Sequence, residues 1–389
     1  MVMSLTRRDF LVRSGLLVVG GSGLLAACSS DSGSESETKS GSTDSSASGT
    51  KGSGTNKGTV RIGTWPLYIE NDTDPQASPT IQAFTKATGI KVEYSSTIDG
   101  NDSFTSKYEG DLKAGKDIGF DVVVPTAWMA ARWISNGWTR EIPADLVPNR
   151  VNVIDSMVNP PWDIGRKHSL PFAIIQTGIA YYPDKVGGDI ASLADLLDPK
   201  LKGKVTVLSE LRDTVGLFLL ADGVNPEDAS IDQCLAAIAK IKAARDRGQF
   251  RKVTGNGYIE DLRLGDVSAC MAWSGDVASI QAEKPDLKWV LPTGGGMSAV
   301  DTMIIPKGGN AEMAAAWLNF LYDPTVSGPL FEAISYSSPV KGAGDSMSAE
   351  AAGNVLINPP ASAKLHEFRM LTDEENVTLE TAFAQATQQ

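Results

Sequence analysis

The sequence predicts an α/β protein built as two lobes. Short β-branched runs alternate with helical stretches of about ten to fifteen residues from Thr59 onward. About 330 residues of globular composition follow a polar leader, more than one compact core ordinarily serves. Hydrophobic residues make up 42% of the chain and charged residues 21%, enough apolar material to fill such cores.

The elements follow in order. Residues 59–63 read as a strand, 79–88 as a helix stopped by Gly89, and 90–95 as an alternating strand. Residues 104–114 form a helix stopped by Gly115. Residues 121–125 read as a buried strand, with a helix over 129–135 that breaks at Asn136-Gly137. Further on, 204–208, 268–273 and 302–305 read as strands, and 213–221, 231–244, 258–264 and 311–322 as helices. The last of these packs through Ala315, Leu318 and Leu321. No internal repeat is visible.

The N-terminus reads as an address. Thr6-Arg7-Arg8-Asp9-Phe10-Leu11 has the twin-arginine pattern, and 16–27 is a glycine-bearing apolar stretch too short to serve as a permanent span. It ends in Leu25-Ala26-Ala27-Cys28, which resembles a bacterial lipobox. That resemblance implies cleavage before Cys28 and lipidation of its thiol. Residues 1–27 are therefore expected to be a signal peptide. Residues 28–58 are expected to be a lipidated cysteine and a flexible Ser/Gly-rich tether, which has almost nothing to bury. No other segment has the roughly 18 apolar residues a membrane span needs.

Charge and cysteine use narrow the function. Cleavage removes Arg7, Arg8, Arg13 and Asp9, so the net charge falls from −12 to −14. An acidic surface repels nucleic acid and favours cations. Cys234 and Cys270 lie among apolar neighbours and read as two separate buried thiols, although export permits a disulfide. His168 and His366 are far apart and show no metal-ligand spacing, so neither a metal nor a cofactor is expected.

Aromatic and acidic residues gather at the ends of the expected strands. These are Trp65 and Tyr68, Thr126 and Trp128, Glu210 and Asp213, Trp273 and Asp276, and Asp301. Ligands of open α/β sheets bind beyond the carboxyl ends of strands. Carboxylates offset the desolvation of an ammonium group, and aromatic faces wall its methylenes while attracting cations. Glu210 and Asp213 also suit the start of a helix, where acids are favoured for structural reasons alone.

Several segments carry a family resemblance: Trp65-Pro-Leu-Tyr68, Phe84-Thr-Lys-Ala-Thr-Gly-Ile-Lys-Val92, Asp121-Val-Val-Val-Pro125, Ala272-Trp-Ser-Gly-Asp276 and Asp301-Thr-Met-Ile-Ile-Pro306. A helix followed by Asp323-Pro324 continues it. The chain from about Thr59 nearly to its end resembles the spermidine- and putrescine-binding proteins of bacterial ABC importers. The resemblance implies a two-lobed, periplasmic-binding-protein-like fold of type II with a ligand cleft between the lobes. It places 59–176 and 300–344 in lobe 1, and 177–299 and 345–389 in lobe 2.

The resemblance also assigns roles. Trp65, Tyr68, Thr126 and Trp128 match ligand-facing positions of lobe 1. Glu210 and Asp213 match the acidic pair of spermidine binders, and Trp273 the stacking tryptophan. Asp276 matches an acid of putrescine binders, Asp301 the central acid, and Tyr336 a tyrosine of the last hinge region. Two positions depart from the pattern: Ala299 stands where members have an aromatic, and Arg369 where spermidine binders have a glutamine. Glu70, Asp72 and Asp74 either rim the cleft or form a solvated loop, and the loop is the expectation.

The function expected is that of a monomeric, non-enzymatic lipoprotein on the extracytoplasmic face of the membrane. It captures a polyamine and passes it to an ABC permease with its ATPase. The same fold could take another solute, such as ferric iron through Tyr181-Tyr182, another amine, or a sugar. An envelope hydrolase using paired carboxylates is the remaining alternative.

Overall fold

The computed structural model describes residues 58–98, 100–360 and 362–388. The twin-arginine segment, Cys28 and nearly all of the polar stretch after it lie outside the described residues.

The first lobe begins with β1 (Thr59–Thr64), which buries Val60 and Ile62 and pairs in parallel with β2 (Lys91–Ser96). α1 (Pro79–Thr88) joins them. Pro79 sits at its first position, where a missing N–H costs nothing, and Gly89 closes it at φ 75°, a conformation glycine adopts freely. Its inward face holds Ile81 and Phe84, and Phe84 meets Trp317 edge-on at 5.1 Å between centroids. α2 (Asn101–Lys113) leads to β3 (Val122–Val123) and then to α3 (Ala127–Ser135), which buries Met129, Ala130 and Trp133.

β3 is shorter than the strand expected over 121–125. The Asp121 side chain is drawn into a different network, accepting from the backbone N–H groups of Arg61 and Asn310 and from the Arg61 guanidinium at 2.7 Å. Pro125 has no N–H to give a ladder.

β4 (Ser169–Tyr181) runs for 13 residues. It leads into the second lobe through the single-turn helices α4 (Pro183–Val186) and α5 (Leu193–Leu196). β5 (Val205–Leu208) follows, then α6 (Leu211–Ala221), buried on nearly all sides, and α7 (Ile231–Asp246), started by a Ser230/Gln233 capping box. β6 (Phe250–Thr254), α8 (Tyr258–Leu264), β7 (Ala269–Trp273), α9 (Ser274–Gln281) and β8 (Lys288–Val290) complete the run. β9 (Gly296–Ile304) returns to the first lobe, where α10 (Ala311–Leu321) and α11 (Pro324–Ile334) pack. After α12 (Ala349–Gly353) the chain crosses back. β10 (Leu365–Glu367) pairs with β9, and α13 (Asp373–Thr387) buries Leu379 and Phe383 in the second lobe.

The strand order is β2-β1-β3-β9-β4-β7-β5-β6, with β8 on β4 and β10 on β9. β4 and β9 lie antiparallel from Ser169↔Ile304 to Thr177↔Met297. The start of β4 belongs to the first lobe, and its end, Thr177–Tyr181, carries β7 of the second. These two strands thus span both lobes.

Each lobe has its own core. One gathers Val60, Ile62, Phe84, Phe172, Met303, Leu318 and Phe331; the other gathers Ile179, Val205, Val215, Ile238, Leu262, Met271 and Phe383. Half-buried Trp273 packs against both. Cys234 and Cys270 are buried and unbonded, and burial pushes both thiols up from their ordinary pKa. Among the described residues no helix is long and apolar enough to cross a membrane.

Candidate functional site

A cleft of about 440 Å³ lies where the two lobes meet. All ten residues singled out from the sequence line it: Trp65, Tyr68, Thr126, Trp128, Glu210, Asp213, Trp273, Asp276, Asp301 and Tyr336. Eight of them reach it because β1, β3, β5 and β7 all end there, each handing over to a loop or helix start; Asp301 comes from within β9, and Tyr336 from the segment after α11.

Asp301 lies in β9 and is 5% exposed. The Tyr68 hydroxyl donates to its Oδ2 at 2.5 Å, and the Thr126 hydroxyl to its Oδ1 at 2.8 Å. Asn101 holds Thr126 in place from both sides, donating to its Oγ1 and accepting from its backbone N–H, each at 3.0 Å. Burial pushes the Asp301 carboxyl up to about 6; the Tyr68 and Thr126 hydrogen bonds oppose the rise, and the Glu210 charge adds to it.

Asp213 sits in the first turn of α6 and is also 5% exposed. It accepts from the Thr177 hydroxyl at 2.9 Å and from the Trp273 indole N–H at 2.8 Å. Burial, aided by the Glu210 charge, pushes it up to about 7. Asp276 opens α9 and accepts from the Tyr258 hydroxyl at 2.6 Å and from Tyr336 at 3.5 Å. The backbone N–H of Trp273 donates to the Tyr258 oxygen at 3.1 Å, so Tyr258 fixes the acid and the tryptophan together. Tyr336 meets Tyr68 edge-on at 5.6 Å, linking the Asp276 and Asp301 groups across the lobes.

Glu210 differs from these three acids. It is the N-cap of α6, accepting from the Arg212 N–H at 3.3 Å, and 37% of its side chain is exposed.

Several lining residues escaped the sequence reading. Arg212 sits between the two acids of α6 and lies over the Trp128 ring at 3.8 Å. Trp162 and Phe368 also line the cleft and supply apolar surface, and Ala299 lines it as well. Tyr258 and Thr177 orient acids; the sequence signals were that Tyr258 opens an expected helix and that Thr177 stands at the expected crossing between lobes.

Arg369 is not a cleft cation. It makes a two-pronged pair with Glu375, at 2.7 and 3.0 Å, and donates to the Ala229 carbonyl at 2.6 Å. Glu70, Asp72 and Asp74 do not line the cleft. Glu70 accepts from the Thr80 N–H at 3.1 Å and from its hydroxyl at the start of α1, and Asp72 accepts from the Ser96 hydroxyl. Tyr181 and Tyr182 are buried in the second lobe and donate to Asp189 and to the Leu262 carbonyl.

The model of the family described as "Bacterial extracellular solute-binding protein" matches residues 80–357. The chain is 30% identical over 301 residues to a spermidine/putrescine-binding periplasmic protein of Escherichia coli K12, covering 76% of this chain and 83% of that one. It is 28% identical over 340 residues to the putrescine-binding periplasmic protein PotF of the same organism, covering 82% and 90%. The fold is shared with a spermidine/putrescine ABC transporter substrate-binding protein of Streptococcus pneumoniae, with TM-score 0.72 at 21% identity, covering 85% of this chain and 98% of that one. The chain belongs to the bacterial extracellular solute-binding protein family, and is a binding protein rather than an enzyme.

Proposed function

We propose that this chain is an extracytoplasmic polyamine receptor that delivers its ligand to an ABC permease. The carrying observation is one aromatic-walled cleft holding Asp213, Asp276 and Asp301, each at most 5% exposed. Asp213 and Asp301 accept hydrogen bonds from neutral hydroxyl and indole donors. Buried carboxylates held this way are costly in the empty protein, and ammonium groups offset that cost. Trp65, Tyr68 and Trp273 supply flat faces for the methylenes between charges. The spermidine/putrescine-binding and putrescine-binding relatives support the same ligand class.

The ligand is held by the ten lining residues named above, and the lobes close over it. Lobe 1 comprises 59–176 and 300–344, and lobe 2 comprises 177–299 and 345–389. The separate cores support this division. Calorimetric titration of the purified protein with putrescine and spermidine should give saturable heat at micromolar concentrations or below (about −8 kcal/mol or better). Absence of heat with both amines would sink the proposal.

The receptor is a monomer tethered through a lipid on Cys28, exported by its twin-arginine segment and joined to its lobes by the Ser/Gly-rich stretch 29–58. Arg7-Arg8 and Leu25-Ala26-Ala27-Cys28 support this. The full chain is expected in the membrane fraction and Cys28→Ser in the soluble one. Equal partitioning of the two forms would exclude the anchor.

A further inference from the structure

We propose that Trp162 and Glu367 contact the bound amine, one from each lobe, as a further aromatic wall and a further acid of the cleft. The inference rests on the amine reading above and deepens it.

Trp162 stands in the irregular segment that leads into β4, and local chemistry sets it there. Pro161 precedes it, and the Asp163 N–H donates to the Pro160 carbonyl at 3.0 Å. That closes a turn whose second position favours proline. The Asp163 carboxylate accepts from the N–H groups of Lys167 and His168 and from the Ser169 hydroxyl at 2.6 Å, which pins the segment to the start of β4. Arg166 takes up a left-handed conformation at φ 52°, one that glycine adopts more readily. Its buried guanidinium lies over the Trp162 ring, 5.1 Å from the centroid, and donates to the Met157 carbonyl at 2.7 Å. The ring is thus backed by a fixed cation.

Packing alone does not account for Trp162. Trp65, Trp128 and Trp162 all pack against the apolar cluster of Phe104, Met129 and Trp133, and all three line the cleft. Trp133, which does not line it, is fully buried; Trp162 is half-buried and leaves indole surface on the cleft. A flat apolar face kept open there suits the methylenes of an amine and attracts its charge.

Glu367 ends β10, pairing with Ser298 of β9, itself a lining residue. Glu367, Phe368 and Met370 line the cleft, whereas Arg369 is taken up by its pair with Glu375. Asp213 and Asp301 are held by hydroxyl and indole donors; the Glu367 carboxylate has no hydrogen bond and no ion pair among the described residues. Glu367 is exposed at the cleft wall, yet the protein around it and the Glu227 charge push its carboxyl up from the ordinary range, while the Arg166 charge opposes the rise. The attraction to Arg166 acts between the lobes and brings Glu367 to the part of the cleft that Trp162 borders. Arg166 is committed to the ring and to Met157, so the acid is left for a cation of the ligand.

The test is calorimetry with putrescine and spermidine on the purified full chain, Trp162→Ala, Trp162→Phe and Glu367→Gln. Trp162→Ala and Glu367→Gln should each weaken the tighter-bound amine by about tenfold. Trp162→Phe keeps a flat face and should lose less than Trp162→Ala. The Glu367→Gln loss should shrink in about 0.5 M salt, which a purely structural role would not produce. Its melting temperature without ligand should stay within about 2 °C of wild type. An affinity within about threefold of wild type in either Trp162→Ala or Glu367→Gln overturns the proposal. If Trp162→Ala does not fold, tryptophan emission decides its half: the amine-induced change should be smaller in Trp162→Phe than in wild type, and an equal change overturns the contact. No heat with either amine on wild type overturns the amine reading itself, a separate outcome.

Discussion

Asp301→Asn is expected to weaken polyamine binding by about a hundredfold or more, roughly 3 kcal/mol. Asparagine preserves the shape and can still accept from Tyr68, so the loss isolates the negative charge. A ligand ammonium at this depth has little water to return to, and it is left with a neutral amide. Titration calorimetry checks this; an affinity within threefold of wild type would exclude Asp301 as the central acid. The same substitution should stabilise the empty protein at pH 8. The folded carboxyl sits at about 6 against an ordinary value of 3.8, because burial disfavours its ionised form. A raised acid contributes its stability below the unfolded pKa and loses it as pH rises through the folded one. Above about pH 6 the ionised group costs on the order of 3 kcal/mol, which asparagine avoids. Thermal melts at pH 4 and pH 8 should therefore show the variant gaining on wild type as pH rises.

Acidification is expected to release the ligand. Asp213 titrates at about 7 and Asp301 at about 6 in the empty site. Both must be ionised to hold ammonium groups, which themselves stay protonated to about pH 10. Affinity should be full above pH 8 and fall by about a hundredfold to a thousandfold by pH 5. The sign is fixed by which form binds: the ligand favours the ionised acids, so protons leave as it enters. Near pH 6.5 about one proton should be released per ligand, seen as a binding heat that varies with the buffer's ionisation enthalpy. Trp273→Phe removes the indole hydrogen bond that holds Asp213 down. The midpoint should then move to higher pH. An affinity flat from pH 5 to pH 8 would contradict this account.

The parts of the fold legible in the sequence were those with local punctuation. α1 announces itself with Pro79 and Gly89, and α8 coincides with the expected 258–264. β4 was not legible as one strand. It is buried on both faces, so it has no alternation, and Pro171 interrupts the pattern beside an irregularity in its pairing with β9. The first half of β9 was lost similarly, since Gly296 and Ser298 hide a strand read only from Thr302. α11 holds Pro329 inside it, and α13 is polar on most of its surface, so neither shows a convincing apolar stripe. In the cleft, acids and aromatics at strand ends were legible because binding an amine demands those types. Arg212 was not, since a reading that seeks partners for a cation passes over a cation. Tyr258 and Thr177 act through other side chains, and that needs the fold to be seen.

β4 and β9 carry more than connectivity. Thr177, which orients one acid, and Asp301, which is another, lie on the two strands common to both lobes. In mechanical terms Asp301 and Thr177 sit at the fulcrum and not at the tips of the jaws. A rotation about these strands would barely displace Asp301, would carry Asp213 and Asp276 with the second lobe, and would sweep the distant rims of the lobes through a long arc. A molecule the size of a small amine can therefore set the outline of a surface far larger than itself, and that outline is what a membrane partner would meet.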